Sequence, residues 1–188
     1  MARQSHYLTD YLPRVLLLGV YAPYNKTANL ESYFEEFRNL AKTNGVQVTE
    51  ELYIKLRTVD PSYFFTEGKL QEVKDFCDKH KIDHVILSES LSPLQERNVR
   101  DILHRKIFDR THLILDIFEK AAHSAEGKMQ VAVARLRHQK TRLAGKGLHL
   151  AQQTGGIGIH GGPGETAKEK EKRHIESSML KLKKQLES

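Results

Sequence analysis

Eight consecutive residues, Arg14–Tyr21, read RVLLLGVY. A run this apolar and this uninterrupted suits a strand covered on both faces, because a solvated face would call for a polar residue at every second position. It therefore points to a parallel sheet, and a parallel sheet needs crossovers to bring the chain back. The following residues supply them. Asn29 stands as N-cap of a helix whose apolar positions Leu30, Tyr33, Phe34, Phe37, Leu40 and Ala41 recur at helical spacing, and Gly45 closes it. Val46/Val48 and Leu52/Ile54/Leu56 alternate as a strand does, and Asp60–Pro61 marks a turn. Leu70, Val73, Phe76 and Cys77 form a second amphipathic helix, and Asp83–Ser88 (DHVILS) a second buried strand. Ser92–Pro93–Leu94–Gln95 opens a third helix with a cap, a proline at the first position and a Gln at the third, and Ile107–Phe108 is a last short strand. The alternation predicts a small parallel-sheet α/β domain over residues 1–111.

Beyond Asp109 the pattern changes. Leu113–Leu143 contains no strand signal and no proline. Met129, Leu136 and Leu143 recur every seven residues with Ala132 and Val133 beside them, and Ile175, Met179, Leu182 and Leu186 are spaced four, three and four. Thr166 and Glu169 suit a capping box for the second of these helices. Narrow seams of this kind suit helix-on-helix packing, so residues 112–188 are expected to form an antiparallel two-helix coiled hairpin, each helix stabilised by the other. Its connection, 144–165, holds Gly145, Gly147, Gly155, Gly156, Gly158, Gly161, Gly162 and Gly164, eight of the chain's 12 glycines. Glycine lets backbone N–H groups approach a phosphate closely; the same composition also suits a plain linker.

The charge pattern bears on that choice. Lys and Arg total 30 against 24 Asp and Glu, a net charge of +6. Gly127–Gly164 has no acidic residue but holds Lys128, Arg135, Arg137, Lys140, Arg142 and Lys146, which account for the whole excess. An acid-free basic segment is the sequence form of a phosphate-binding surface; the alternative is a solvated helix face whose acids lie elsewhere. Arg137 and Arg142 lie off the Met129/Leu136/Leu143 seam, so both are expected to be dispensable for the fold. His138, His149 and His160 would add charge below about pH 6.5 at ordinary imidazole values.

Other classes fall away. No apolar run is long enough for a membrane span or a secretory leader. A single cysteine, Cys77, excludes an internal disulfide and fits a reducing compartment, expected to be the cytoplasm. The ten His and Cys77 form no CxxC, HxH or HExxH pattern, so no metal is expected. Gly156-x-Gly158-x-x-Gly161 matches a dinucleotide fingerprint in letters but follows no strand, and neither Gly68–Lys69 nor Gly145–Lys146 completes a phosphate loop. No catalytic triad or carboxylate pair stands out, so no catalytic residue is assigned. Two alternatives to nucleic-acid binding stay open: a protein-interaction hairpin, and a nucleotide site at the strand ends of the α/β domain.

Four stretches carry a resemblance: Ser88–Val99 (SESLSPLQERNV), Asp109–Ala122 (DRTHLILDIFEKAA), Glu126–Leu136 (EGKMQVAVARL) and Gly155–Thr166 (GGIGIHGGPGET). They resemble the N-terminal region of the HflX family of ribosome-associated GTPases, from about Arg14 to the end of the chain. The resemblance implies an α/β subdomain and a helical hairpin that precede a GTPase domain. It implies binding to the large ribosomal subunit and its RNA, with the Gly-rich loop reaching toward the peptidyl transferase centre, and a part in splitting or rescuing ribosomes. On that basis the RNA-facing residues are expected to be Lys128, Arg135, Arg137, Lys140, Arg142, Lys146, Gly155, Gly156, Gly158, His160, Gly161, Gly162 and Gly164. GTP and Mg are expected only in a G domain beyond Ser188, with no cofactor in this chain. The sequence departs from the family pattern at the loop, which is one residue longer and has His160 near the place of an arginine. It departs again at Gln152, at Thr66-Glu67-Gly68-Lys69, and at His112, where the family has a glycine.

Overall fold

The computed structural model describes residues 12–25, 29–145 and 167–187. Four strands, β1 (Val15–Tyr21), β2 (Glu50–Lys55), β3 (His84–Leu87) and β4 (Lys106–Phe108), form one parallel sheet in the order β2-β1-β3-β4. The described helices are α1 (Leu30–Thr43), α2 (Glu67–Lys79), α3 (Pro93–Leu103), α4 (Arg110–Ala121), α5 (Ala125–Gly145) and α6 (Ala167–Glu187).

The apolar run is β1, the inner strand, and its pleat divides the core. Leu16, Leu18 and Val20 face α2 and α3, where they meet Leu70, Val73, Cys77, Val99 and Leu103. Val15 and Leu17 face the other way, onto Phe37 and Ala41 of α1 and Leu113 of α4. Burial of its side chain pushes the Cys77 thiol up to about 11, so it is inert packing. Gly19 is required by close approach: a Cβ there would lie 2.4 Å from the Tyr53 ring and 2.8 Å from that of Phe34.

The local signals translate directly. Asn29 Oδ1 accepts from Ser32 N at 3.1 Å, and Gly45 closes α1 at φ +74°. Ser92 and Gln95 form the expected capping box, with Pro93 at the start of α3. Thr166 lies outside the described residues, so its cap does too. The helical part differs in one respect. The strand-free stretch after Asp109 is two helices, because Ala122 leaves helical geometry and Ser124 Oγ accepts from Gly127 N at 3.0 Å to start α5. The expected boundary after residue 111 falls inside the first turn of α4. That helix covers the sheet beside α1, and Lys120 Nζ donates to the Asn44 carbonyl at 2.5 Å. Beyond it α5 packs on α3, α4 and α6. Among the described residues of α5 and α6 the buried ones are Val133, Leu143 and Ile175, while Met129 and Leu136 are only half-buried.

Candidate nucleic-acid interface

The basic residues of α5 fall into two groups. Lys128 and Arg137 are exposed and make no ion pair among the described residues. The other three described ones end on carboxylates. Arg135 pairs with Asp116 and, at 2.6 Å, with Glu119, both on α4. Lys140 Nζ reaches Glu176 of α6 at 2.9 Å. Arg142 is the most enclosed, its side chain only 14% exposed, between Glu96 of α3 and Asp109 at the head of α4. Nη2 donates to Asp109 Oδ2 at 2.6 Å, and Nη1 lies 2.6 Å from Glu96 Oε2 as a charge contact off the hydrogen-bond axis. An acid-free stretch of sequence is thus not acid-free in space. The expectation that Arg142 can be removed without touching the fold is corrected here. Lys146, Gly155, Gly156, Gly158, His160, Gly161, Gly162 and Gly164 lie outside the described residues.

Asp109 is the centre of this junction. Its side chain is fully buried. Oδ1 accepts from His112 N at 3.1 Å as the N-cap of α4 and lies 2.9 Å from His112 Nδ1; Oδ2 accepts from Leu91 N at 3.1 Å as well as from Arg142. Burial alone would raise its pKa. The hydrogen bond with His112 and the charge of Arg142 outweigh that and hold the carboxyl at about 2. His112 therefore has a structural part. It completes the capping box and stands edge-on to His138, with ring centroids 4.7 Å apart. His138 Nε2 in turn lies 3.2 Å from Arg142 Nη2, so this half-buried ring faces the guanidinium. Asp109, His112 and His138 bring donor atoms within 4.8 Å of one another. The Arg142 guanidinium already holds the cation's place among them, and we assign no metal there.

The strand ends present a different chemistry. At the carboxyl ends of β1 and β3, where the chain order reverses, a cavity of about 400 Å³ is lined by Tyr24, Asn25, Tyr33, Glu89 and Arg110 among others. Its centre is the buried Glu89, which accepts from Tyr24 Oη and Asn25 Nδ2, each at 2.9 Å, and from Tyr33 Oη. Burial and the Glu89 carboxylate push the Tyr33 hydroxyl up to about 12. Where a phosphate would sit in a nucleotide fold there is a carboxylate, so nothing here favours the nucleotide alternative.

Comparison with known proteins finds two family regions in succession. Residues 31–119 match the family described as "GTP-binding GTPase N-terminal", and residues 121–188 that described as "GTP-binding GTPase Middle Region". The chain is similar to GTPase HflX of Magnetococcus marinus, 36% identical over 184 residues that make up 98% of this chain and 42% of the relative. It is similar to GTPase HflX of Escherichia coli, 38% identical over 153 residues, 81% of this chain and 36% of the relative. The chain thus spans well under half the length of these relatives. A GTP-binding protein from Sulfolobus solfataricus, solved with GDP, shares the fold with a TM-score of 0.60 at 22% identity, over 93% of this chain and 45% of that one. Among the described residues no helix is long and apolar enough to cross a membrane. Resembling the relatives from strand to helix and matching both family regions in succession, the chain belongs to the HflX family of GTPases and carries its N-terminal and middle regions.

Proposed function

We propose that this chain is the ribosome-binding module of an HflX-type GTPase. It has two parts, an α/β subdomain ahead of about residue 111 and a helical part after it. In this reading α5 and α6 run as an antiparallel coiled hairpin around the glycine-rich segment 144–165. The partner is the large ribosomal subunit through its RNA, in the cytoplasm, and the whole protein helps to split or rescue ribosomes. GTP and Mg belong to a G domain outside this chain, and the chain itself takes no small-molecule substrate.

One observation carries the reading: within a stretch of 38 residues free of acids, Lys128 and Arg137 are exposed and unpaired among the described residues. Phosphate contacts of this kind need mobile, solvated cations, and the glycine-rich segment would add backbone N–H donors. Arg135, Lys140 and Arg142, by contrast, hold the helices in place and are spent on carboxylates. If Lys128, Arg137 and Lys146 meet phosphates, the slope of log K against log[salt] is roughly −2 to −3, at about −0.7 to −0.9 per phosphate. Filter binding of the chain to purified large subunits at increasing salt measures that slope. Binding that ignores salt would favour the protein-interaction alternative.

A further inference from the structure

The junction of α5 with α3 and the head of α4 contains an imidazole placed against a buried arginine. The proposed RNA reading does not draw on it. His138 Nε2 lies 3.3 Å from Arg142 Nε and 3.2 Å from Nη2. A neutral ring accepts at that atom and carries its hydrogen on Nδ1. The groups facing it are His112 and Asp109 from the head of α4, and Arg142 and Arg135 from its own helix; Glu96 of α3 acts on it through Arg142. A proton at Nε2 turns the acceptor into a donor and sets a second positive charge 3.2 Å from the guanidinium.

We propose that His138 makes the seating of α5 on the α/β unit sensitive to protons: neutral, it completes the Arg142–Glu96–Asp109 latch, and protonated, it drives the guanidinium off and releases the C-terminal half of α5. Burial, with the His112 ring and the Arg142 and Arg135 charges adding to it and Asp109 opposing, holds the His138 imidazole below its usual value. The seated state therefore binds fewer protons at this ring than the released one. Seating is full above about pH 6.5, the ordinary imidazole value, and weakens as pH falls from there toward the lowered value. The released-to-seated ratio rises by up to tenfold for each unit between the two values. This inference does not depend on the RNA reading and is tested without RNA.

The test uses the whole chain with nitroxide labels at Asp101→Cys on α3 and Gln139→Cys on α5, both exposed positions, Cys77 being buried. Dipolar distance measurements between pH 7.5 and 5 should show a second, longer distance whose share grows severalfold on acidification. In His138→Gln, which keeps an acceptor but takes no proton, the single short distance should persist throughout. Equal growth in that variant, or none in the parent down to pH 5, overturns the proposal. Should the Gln variant be released at every pH, ¹⁵N titration of the parent decides. A His138 pKa below 6.5 that returns to it in Arg142→Ala supports the latch, and one at or above 6.5 refutes it.

Discussion

In β1 the six residues from Val15 to Val20 are all shielded from solvent, whereas α5, three times as long as the whole strand, buries only Val133 and Leu143 among its described side chains. The sheet and its covering helices cohere through apolar contact on two faces, while α5 joins a thin apolar seam to a set of charge pairs. Its contacts to α3, α4 and α6 include Arg142 on Glu96 and Asp109, Arg135 on Asp116 and Glu119, and Lys140 on Glu176. Apolar burial changes little with pH or salt, but paired charges respond to both. One chain thus contains a part whose core is apolar on both faces of a sheet and a part whose attachment adds charge pairs to a thin apolar seam.

Substitutions can break or sharpen that contrast. Phe37→Ala, in the fully buried cluster between sheet, α1 and α4, should cost about 3–5 kcal/mol and lower the urea midpoint of the whole molecule. Arg142→Ala should cost about 2–4 kcal/mol, because it leaves Asp109 buried without its cation, and a probe on α5 should register the loss before one on the sheet. A loss under ~0.5 kcal/mol would put Arg142 with the solvated cations instead. Acid should act through Asp109. Its folded-state pKa of about 2 lies below the ordinary 3.8, so its contribution is complete above 3.8 and is lost as pH falls toward 2, in all roughly 2 kcal/mol. Asp109→Asn should abolish that step in a pH series of melting curves. The smallest effect belongs to the pair Lys128→Ala with Arg137→Ala. Stability should stay within ~0.5 kcal/mol, while the salt slope of binding to large subunits flattens by roughly 1.4–1.8.

What could be read from the letters alone follows the range of the interaction. The β1 run, the Asn29 cap with Gly45, and the Ser92–Gln95 box are local, each decided within a few residues, and each is found as read. The break between α4 and α5 had a local signal too, Ser124 three residues before Gly127, but the absence of proline hid it. The junction had almost none. Glu96 and Asp109 lie 46 and 33 positions from Arg142, and nothing in an acid-free segment announces acids brought in by other helices. Charge counted along the chain overstated the cations open to solvent, because ion pairs form in space. His112 read as a mere departure from a glycine; its role emerges only with Asp109 and His138 around it.

Asp109 also bears on the order of assembly. One carboxylate caps α4, receives the Leu91 amide ahead of α3 and receives Arg142 from α5. The first two partners lie within 18 residues of it in the chain, and the third comes 33 residues later. The anionic seat is complete only when β4 has joined the sheet and α3 and α4 have taken their places on its two faces. A chain leaving the ribosome from its N-terminus therefore presents every residue of the socket before the arginine that fills it, so the socket is free to form first and serve as the template for α5.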